Sequence, residues 1–464
     1  MPAYEGRSVR LGARPDFVQA SFDAAAHVDA LVRMLEPDDL PWVLRFALIQ
    51  SMVSSWGRTG RHGAGPPSAG TAERLIRRSA ATVLGYRPTI ACFSDVMFVG
   101  ATRNQALALA PIVRSMSESD HLRHSPTRAR PSYSEFLQRL PEVRRLVAAV
   151  ADEAALADAL APQEVWRHGV LAASDLAAYS RLVDAVSPRT VVVANQHFRP
   201  NRALLRVARN RGVRTIYIPH APVAANAAYF DLPVDLALLR GPLELCHYRE
   251  NGIRSLRARS VGTPSLPDEL APTEPSARRG TCHPPVFAPS PLPEGALREL
   301  LDLVTSSTDD FIVSLHPAMG RSAEALFKQR GCHVYRKGTT VDLLREGTPV
   351  LLQSSSGVGL EALATGTPVV DLAFPGSAPN YPYIRAPYVT QVTDTQTLRR
   401  ELERAVETST QTRHRTDLVS WAERWTGPHG DEATQTAVEA IHDFASSPSD
   451  GLEPVFDATQ STAP

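Results

Sequence analysis

Val350 to Val370 reads VLLQSSSGVGLEALATGTPVV: a short apolar run, three serines and a glycine, a helical stretch with Val358, Leu360, Ala362 and Leu363 on its apolar face, then a second apolar run. Short continuous apolar runs fit strands buried on both faces, and the order strand, loop, helix, strand is the repeating unit of a parallel sheet. The alternation extends in both directions. Strands are expected at 286–288, 311–315, 333–335 and 369–372, with helices at 294–306, 323–330, near 340–346 and at 357–365. Upstream, the apolar run beginning at Val96 leads through a polar turn into a helix. Further helices are expected at roughly 133–155, 163–186 and 199–211, and strands at 190–194 (TVVVA) and 215–218. The spacing predicts an α/β chain of two doubly wound, Rossmann-like domains.

The expected boundaries follow the composition. A helical extension covers 1–88, a first domain 89–265, a Pro-rich linker 266–285, a second domain 286–415, C-terminal helices 416–445 and a disordered tail 446–464. Pro, Gly and Ser also cluster at 57–70 and 115–132. Within the extension, WVLRFALIQSMVSSW at 42–56 is too short to span a bilayer. Packing against the next domain is its expected role, and association with a membrane surface is the alternative.

The chain has 464 residues, of which 43% are hydrophobic and 21% charged, which excludes a disordered protein. Its 49 basic and 49 acidic side chains cancel, so no global field favours nucleic acid. Cys92, Cys246, Cys282 and Cys332 are widely spaced with no CxxC pair, and no DxD triad occurs. Neither a zinc site nor a disulfide framework is indicated, and no obligatory metal or cofactor is expected. The N-terminus lacks the apolar run of a secretory signal, so the expected location is cytoplasmic.

In open parallel sheets ligands bind beyond the carboxyl ends of the strands. In the first domain those ends carry Asn195, Gln196 and His197, and then Pro219 and His220; in the second they carry His316-Pro317 and Ser354, Ser355, Ser356 and Gly357. A helix amino end favours phosphate by only about 0.3–1 kcal/mol, whereas micromolar binding needs about 8 kcal/mol. The serine hydroxyls, His316 and contacts to a base or sugar must supply the rest, which points to a whole nucleotide. Glu361, one turn into the helix, is placed to accept hydrogen bonds from ribose hydroxyls. Asn195 and His197 are candidate substrate-binding groups, and His197, His220 and Asp231 are candidates for proton abstraction from a hydroxyl. His220 is preferred because it ends a buried strand over the expected cleft. Arg202, Arg206 and Arg209 recur at helical spacing and are expected on a solvated face.

From about 95 to 445 the sequence resembles the GT-B glycosyltransferase superfamily, specifically bacterial capsule and teichoic-acid polymer transferases such as polysialyltransferases and CDP-glycerol glycerophosphotransferases. The resemblance is carried by RTIYIPHAP around His220, RSVGTP at 259–264, SLHP at 314–317 and SSSGVGLEALATGTPVV at 354–370. It implies a GT-B-like pair of domains facing a cleft, an acceptor glycan or polymer on the first and a CMP-, CDP- or UDP-linked donor on the second. His316 and Ser354 to Ser356 would hold the donor phosphate, Glu361 the ribose, and His220 would be a candidate base. The chain departs from that pattern at Ala221, where the glycerophosphotransferases commonly carry glycine, and it lacks the acidic pair followed by glycine of the sialyltransferase-like families. Polyol-phosphate transfer, sugar-nucleotide 2-epimerisation and non-catalytic nucleotide binding share this fold and stay open.

Overall fold

A computed structural model describes residues 17–56, 89–93, 95–119, 122–124, 133–251, 257–268, 284–292, 294–316, 319–373, 380–385 and 387–447. The Gly-rich stretch at 57–70 and most of the expected linker and tail lie outside these residues.

The first sheet has seven strands. In chain order they are β1 (Thr89–Phe93), β2 (Val96–Gly100), β3 (Leu122–His124), β4 (Thr190–Val193), β5 (Arg214–Tyr217), β6 (Leu236–Leu239) and β7 (Ala258–Ser260). Their order across the sheet is β3-β1-β2-β4-β5-β6-β7. From β2 to β7 all neighbours are parallel, whereas β1 runs antiparallel to both β2 and β3. The sheet is therefore mixed, not wholly parallel as the alternation suggested. Two apolar runs only two residues apart cannot make a parallel crossover, but they can pair as a hairpin, and Phe93 pairs with Val96.

The second sheet is parallel throughout. Its strands are β8 (Val286–Ala288), β9 (Ile312–Val313), β10 (His333–Val334), β11 (Leu351–Gln353), β12 (Val369–Leu372) and β13 (Val389–Val392), ordered β10-β9-β8-β11-β12-β13. The chain is thus α/β, with two Rossmann-like sheets. Val191, Val192 and Val193 in one sheet and Leu351 and Leu352 in the other are fully buried, as strands covered on both faces require.

Helices α1 (Phe17–Met34) and α2 (Asp39–Trp56) pack beside the first sheet. Leu40, Leu44, Ile49 and Met52 are wholly buried. Helix α2 lies against two helices of the first domain, Pro162–Val186 and Arg199–Asn210, and this contact corrects one expectation. Arg202 is fully buried, not solvated: its guanidinium stacks 4.2 Å from the Trp42 ring centroid, and its Nε donates to the Trp42 carbonyl at 2.9 Å. Arg206 pairs with Asp39 at 2.6 Å, and only Arg209 faces solvent. The helical spacing was sound, but the extension covers the face it marks. No described helix is long and apolar enough to cross a membrane.

The described C-terminal helices return to the first domain. Helix Thr412–Thr426 reaches the turn after β6, where a Cβ on Gly241 would stand 2.5 Å from the Trp425 backbone. Thr263 pairs with His429, and Val438 and Ile441 of the last helix, Gly430–Ser446, join a core with Val192 and Ile216. This return crossing binds the two halves together.

Candidate functional site

The carboxyl edges of the two sheets meet. A Cβ on Gly357 would lie 3.0 Å from Pro222 Cδ, and Ala225 N–H donates to the Asn380 carbonyl at 2.6 Å. Pro222 is two residues past His220, and Gly357 directly follows the serines, so the His220 segment and the serine loop are in contact where the two sheet edges meet.

On the first domain, β4 ends in Ala194 and Asn195. Asn195 Oδ1 accepts the His197 and Phe198 N–H groups at 3.1 and 2.7 Å, which leaves its Nδ2 to donate to His197 Nε2 at 3.0 Å. With Nε2 accepting, neutral His197 carries its proton on Nδ1, and that buried atom has no partner among the described residues. The ring sits 4.5 Å from Phe46 of α2 and 4.2 Å from Tyr229. Burial, helped by the charges of His220 and Arg202, holds it neutral, far below the usual imidazole range. Asn201 Nδ2 donates to the Asn195 carbonyl at 2.6 Å and to Gln105 Oε1 at 3.1 Å, tying this edge to the helix that follows β2, Arg103–Ser119.

His220 projects from the adjoining strand end. Its Nδ1 lies 2.7 Å from the Ala194 carbonyl, which can only accept, so Nδ1 bears the hydrogen and Nε2 keeps its lone pair. Burial pushes its pKa down to about 4 against the favourable carbonyl contact, and the Arg240 charge adds to the depression. The imidazole is neutral at pH 7.

Asp231 occupies a different setting. Its oxygens meet Arg202 Nη1 at 2.8 Å and Arg45 Nη1 at 3.2 Å, and Arg45 also pairs with Asp29 at 2.6 Å. The carboxylate anchors the helical extension to the first domain. Oδ2 accepts from Arg202 Nη1, and Oδ1 lies beside Arg45 without a hydrogen bond among the described residues, so both oxygens face guanidinium charge.

On the second domain, the serine loop is fixed from below. Ser355 adopts a left-handed backbone (φ 45°), its N–H donates to Asp371 Oδ1 at 2.7 Å, and its hydroxyl accepts the Asn380 N–H at 2.8 Å. Gln353 Nε2 donates to Asp371 Oδ1 at 3.2 Å and to Tyr383 Oη at 2.9 Å, and the Tyr383 hydroxyl donates to the Ser356 carbonyl. Gly359 permits this, since a Cβ there would stand 2.4 Å from Tyr383 Oη. Burial raises Asp371 to about 6 despite the hydrogen bonds it accepts from Ser355, Gln353 and Gln391. Ser356 Oγ accepts the Val358 N–H at 3.4 Å, a helix-end contact, while Ser354 is buried.

His316 follows β9 and stands on the same sheet edge as the serines, with β8 between. Strand spacing separates the two loops by about 10 Å. His316 is half-buried, and burial lowers its pKa. Glu361 is half-buried as well; burial raises its carboxyl and the Arg240 charge opposes the rise.

Sequence reasoning missed Asp371, Tyr383 and Arg240. An acid inside VVDL and an arginine ending LALL were the available signals for the first and last. Tyr383 had none, because its partner in the serine loop lies 27 residues earlier in the chain.

No known family model matches the chain, and no curated protein sequence matches it. Among solved structures, it is similar to a candidate UDP-N-acetylglucosamine 2-epimerase from Listeria monocytogenes (14% identity, TM-score 0.49, covering 76% of this chain and 95% of that one). It is also similar to the UDP-GlcNAc 2-epimerase of Neisseria meningitidis bound to UDP-GlcNAc (13% identity, TM-score 0.44, covering 74% and 98%). A third similar structure is the wall teichoic acid polymerase TagF (11% identity, TM-score 0.40, covering 60% and 75%). The likeness is confined to the overall course of the chain.

Proposed function

We propose that the chain is a glycosyltransferase that moves a sugar from a CMP-, CDP- or UDP-linked donor to a hydroxyl of a glycan or polymer acceptor. The observation that carries this reading is the contact between the His220 segment and the serine loop, at Pro222 against Gly357. The donor lies on the second domain, with His316 and Ser354 to Gly357 at its phosphates and Glu361 at its ribose. The acceptor lies on the first, beside Asn195 and His197.

In the reaction the acceptor hydroxyl oxygen attacks the anomeric carbon while the bond from that carbon to the phosphate oxygen breaks. The bonding pair leaves with the phosphate, and the hydroxyl proton passes to His220 Nε2. His220 is suited to receive it because its Nδ1–H is held by Ala194 and its ring starts neutral. Hydrogen-bond donors fixed before reaction stabilise the departing charge without reorganisation. Asp371 and Tyr383 are positioning residues for the serine loop. Asp231 is assigned to docking of the extension, not to proton transfer.

The test is turnover of CMP-, CDP- and UDP-linked sugars with glycan acceptors. His220→Ala is expected to lower kcat about 10²- to 10⁴-fold, the usual worth of a general base. Folded His316→Ala and triple Ser354/Ser355/Ser356→Ala variants with wild-type turnover would refute the donor assignment. A phosphodiester product with release of nucleoside monophosphate would assign polyol-phosphate transfer instead, and conversion of a UDP-sugar without acceptor would assign epimerisation.

A further inference from the structure

Arg240 is 2% exposed, yet its Nε and Nη1 have no hydrogen-bond partner, and it forms no ion pair with a described carboxylate. A buried charge left unpaired is costly and is retained where something completes it. Arg240 follows β6, the neighbour of β5. Extending the register Tyr217↔Ala237 by three residues sets Arg240 level with His220, about 4.8 Å away along the sheet edge.

The backbone beneath the side chain is held on both sides. Arg240 N–H donates to Glu244 Oε2 at 2.8 Å, and its carbonyl accepts from Ser260 Oγ at 2.6 Å and Gly262 N–H at 2.9 Å. Glu244, the nearest acid in sequence, has its other oxygen on the Val223 N–H at 3.0 Å, so both oxygens serve the backbone. That same bond ties Val223, and with it Pro222, to the start of the helix after Arg240. Pro222 in turn touches Gly357 of the serine loop. The guanidinium belongs to the first domain, and its charge acts on His220 and Glu244 there and on Glu361 and Tyr381 of the second domain.

We propose that Arg240 binds the diphosphate of a CDP- or UDP-linked donor from the first-domain side, opposite the serine loop, so that both domains hold the same group. The proposal rests on the donor reading above. Arginine suits the task because its planar, permanently charged head presents several donors to phosphate oxygens. It also links the two half-sites, since an oxyanion beside Arg240 offsets the positive charge that helps depress the His220 imidazole.

The full chain, wild type and Arg240→Gln, is titrated with inorganic pyrophosphate, with uridine and cytidine, and with UDP and CDP, by thermal shift and calorimetry. The glutamine variant is expected to melt at or above the wild type, to lose pyrophosphate stabilisation, and to bind the preferred nucleoside diphosphate at least tenfold more weakly with nucleoside affinity unchanged. Diphosphate binding within twofold of wild type overturns the role of Arg240 and leaves the donor reading standing. Wild-type protein that binds pyrophosphate but neither UDP nor CDP overturns the CDP- or UDP-linked donor, and with it the assignment to a nucleotide's diphosphate. If the glutamine variant does not fold, Arg240→Lys decides: a several-fold loss of pyrophosphate and diphosphate affinity supports the proposal, and unchanged affinity refutes it.

Discussion

The strand-end edges of the two sheets, one rim on each domain, are built on opposite principles. On the second domain, Gln353, Asp371, Tyr383 and the serine loop interlock, and their buried side-chain atoms are all satisfied. On the first, Gln196 Oε1, His197 Nδ1, Asn201 Oδ1 and two nitrogens of Arg240 are buried with no partner among the described residues. An unmade buried hydrogen bond costs about 1–3 kcal/mol, so the first rim holds polar groups at a cost that a ligand can relieve, whereas the second is finished before any ligand arrives. A satisfied rim should lose stability and binding together when cut. Asp371→Ala leaves the Ser355 N–H and the Gln353 amide without their acceptor, and it is expected to lower unfolding free energy by about 3 kcal/mol. Donor KM should rise at least about tenfold, the equivalent of 1.4 kcal/mol. Urea unfolding and donor titration check this, and wild-type values for both would erase the contrast.

Acid sharpens the comparison from the other side, because the first rim carries imidazoles kept neutral by burial. For His220 the ordinary value of 6.5 falls to about 4 in the folded chain. Between those values the unfolded chain takes up a proton and the folded chain does not, so stability is whole above pH 6.5 and drains as pH falls toward 4. The difference amounts to up to about 3 kcal/mol for this one ring. His220→Gln keeps an N–H for the Ala194 carbonyl and removes the titration. Its unfolding free energy should therefore fall less than the wild type's between pH 7 and pH 4, by up to that amount. Parallel stability curves for the two proteins would show that the ring is not held neutral by the fold.

The same contrast explains what could be read from the sequence. The doubly wound domains and the polar clusters at their strand ends were legible because continuous apolar runs and 3.6-residue periodicity are local signals. Arg202 was misassigned because its periodicity marks a face and not what covers it; Trp42 lies 160 residues away. The antiparallel β1 escaped because the expected alternation begins only at Val96. Asp231 looked like a free acid because its guanidinium partners, Arg45 and Arg202, come from separate helices. Arg240 was invisible for the converse reason: its significance lies in missing partners, and only the folded chain reveals which groups are absent from around a side chain.

The smallest expected change tests the unfinished rim most directly. His197→Phe preserves a ring between Phe46 and Tyr229, removes the unpartnered Nδ1–H, and forfeits only the bond from Asn195 Nδ2. Loss of that bond and relief of the buried donor work in opposite directions, so stability should stay within about 1 kcal/mol of wild type. If Nδ1–H waits for an acceptor hydroxyl, acceptor KM should rise about threefold to tenfold, the worth of one neutral hydrogen bond, with donor KM unchanged. The split between the two substrates is the decisive reading. A rise in donor KM would place the donor on the first rim, and a large loss of stability with no change in acceptor KM would mean that His197 is a core residue and that the rim is complete without a ligand.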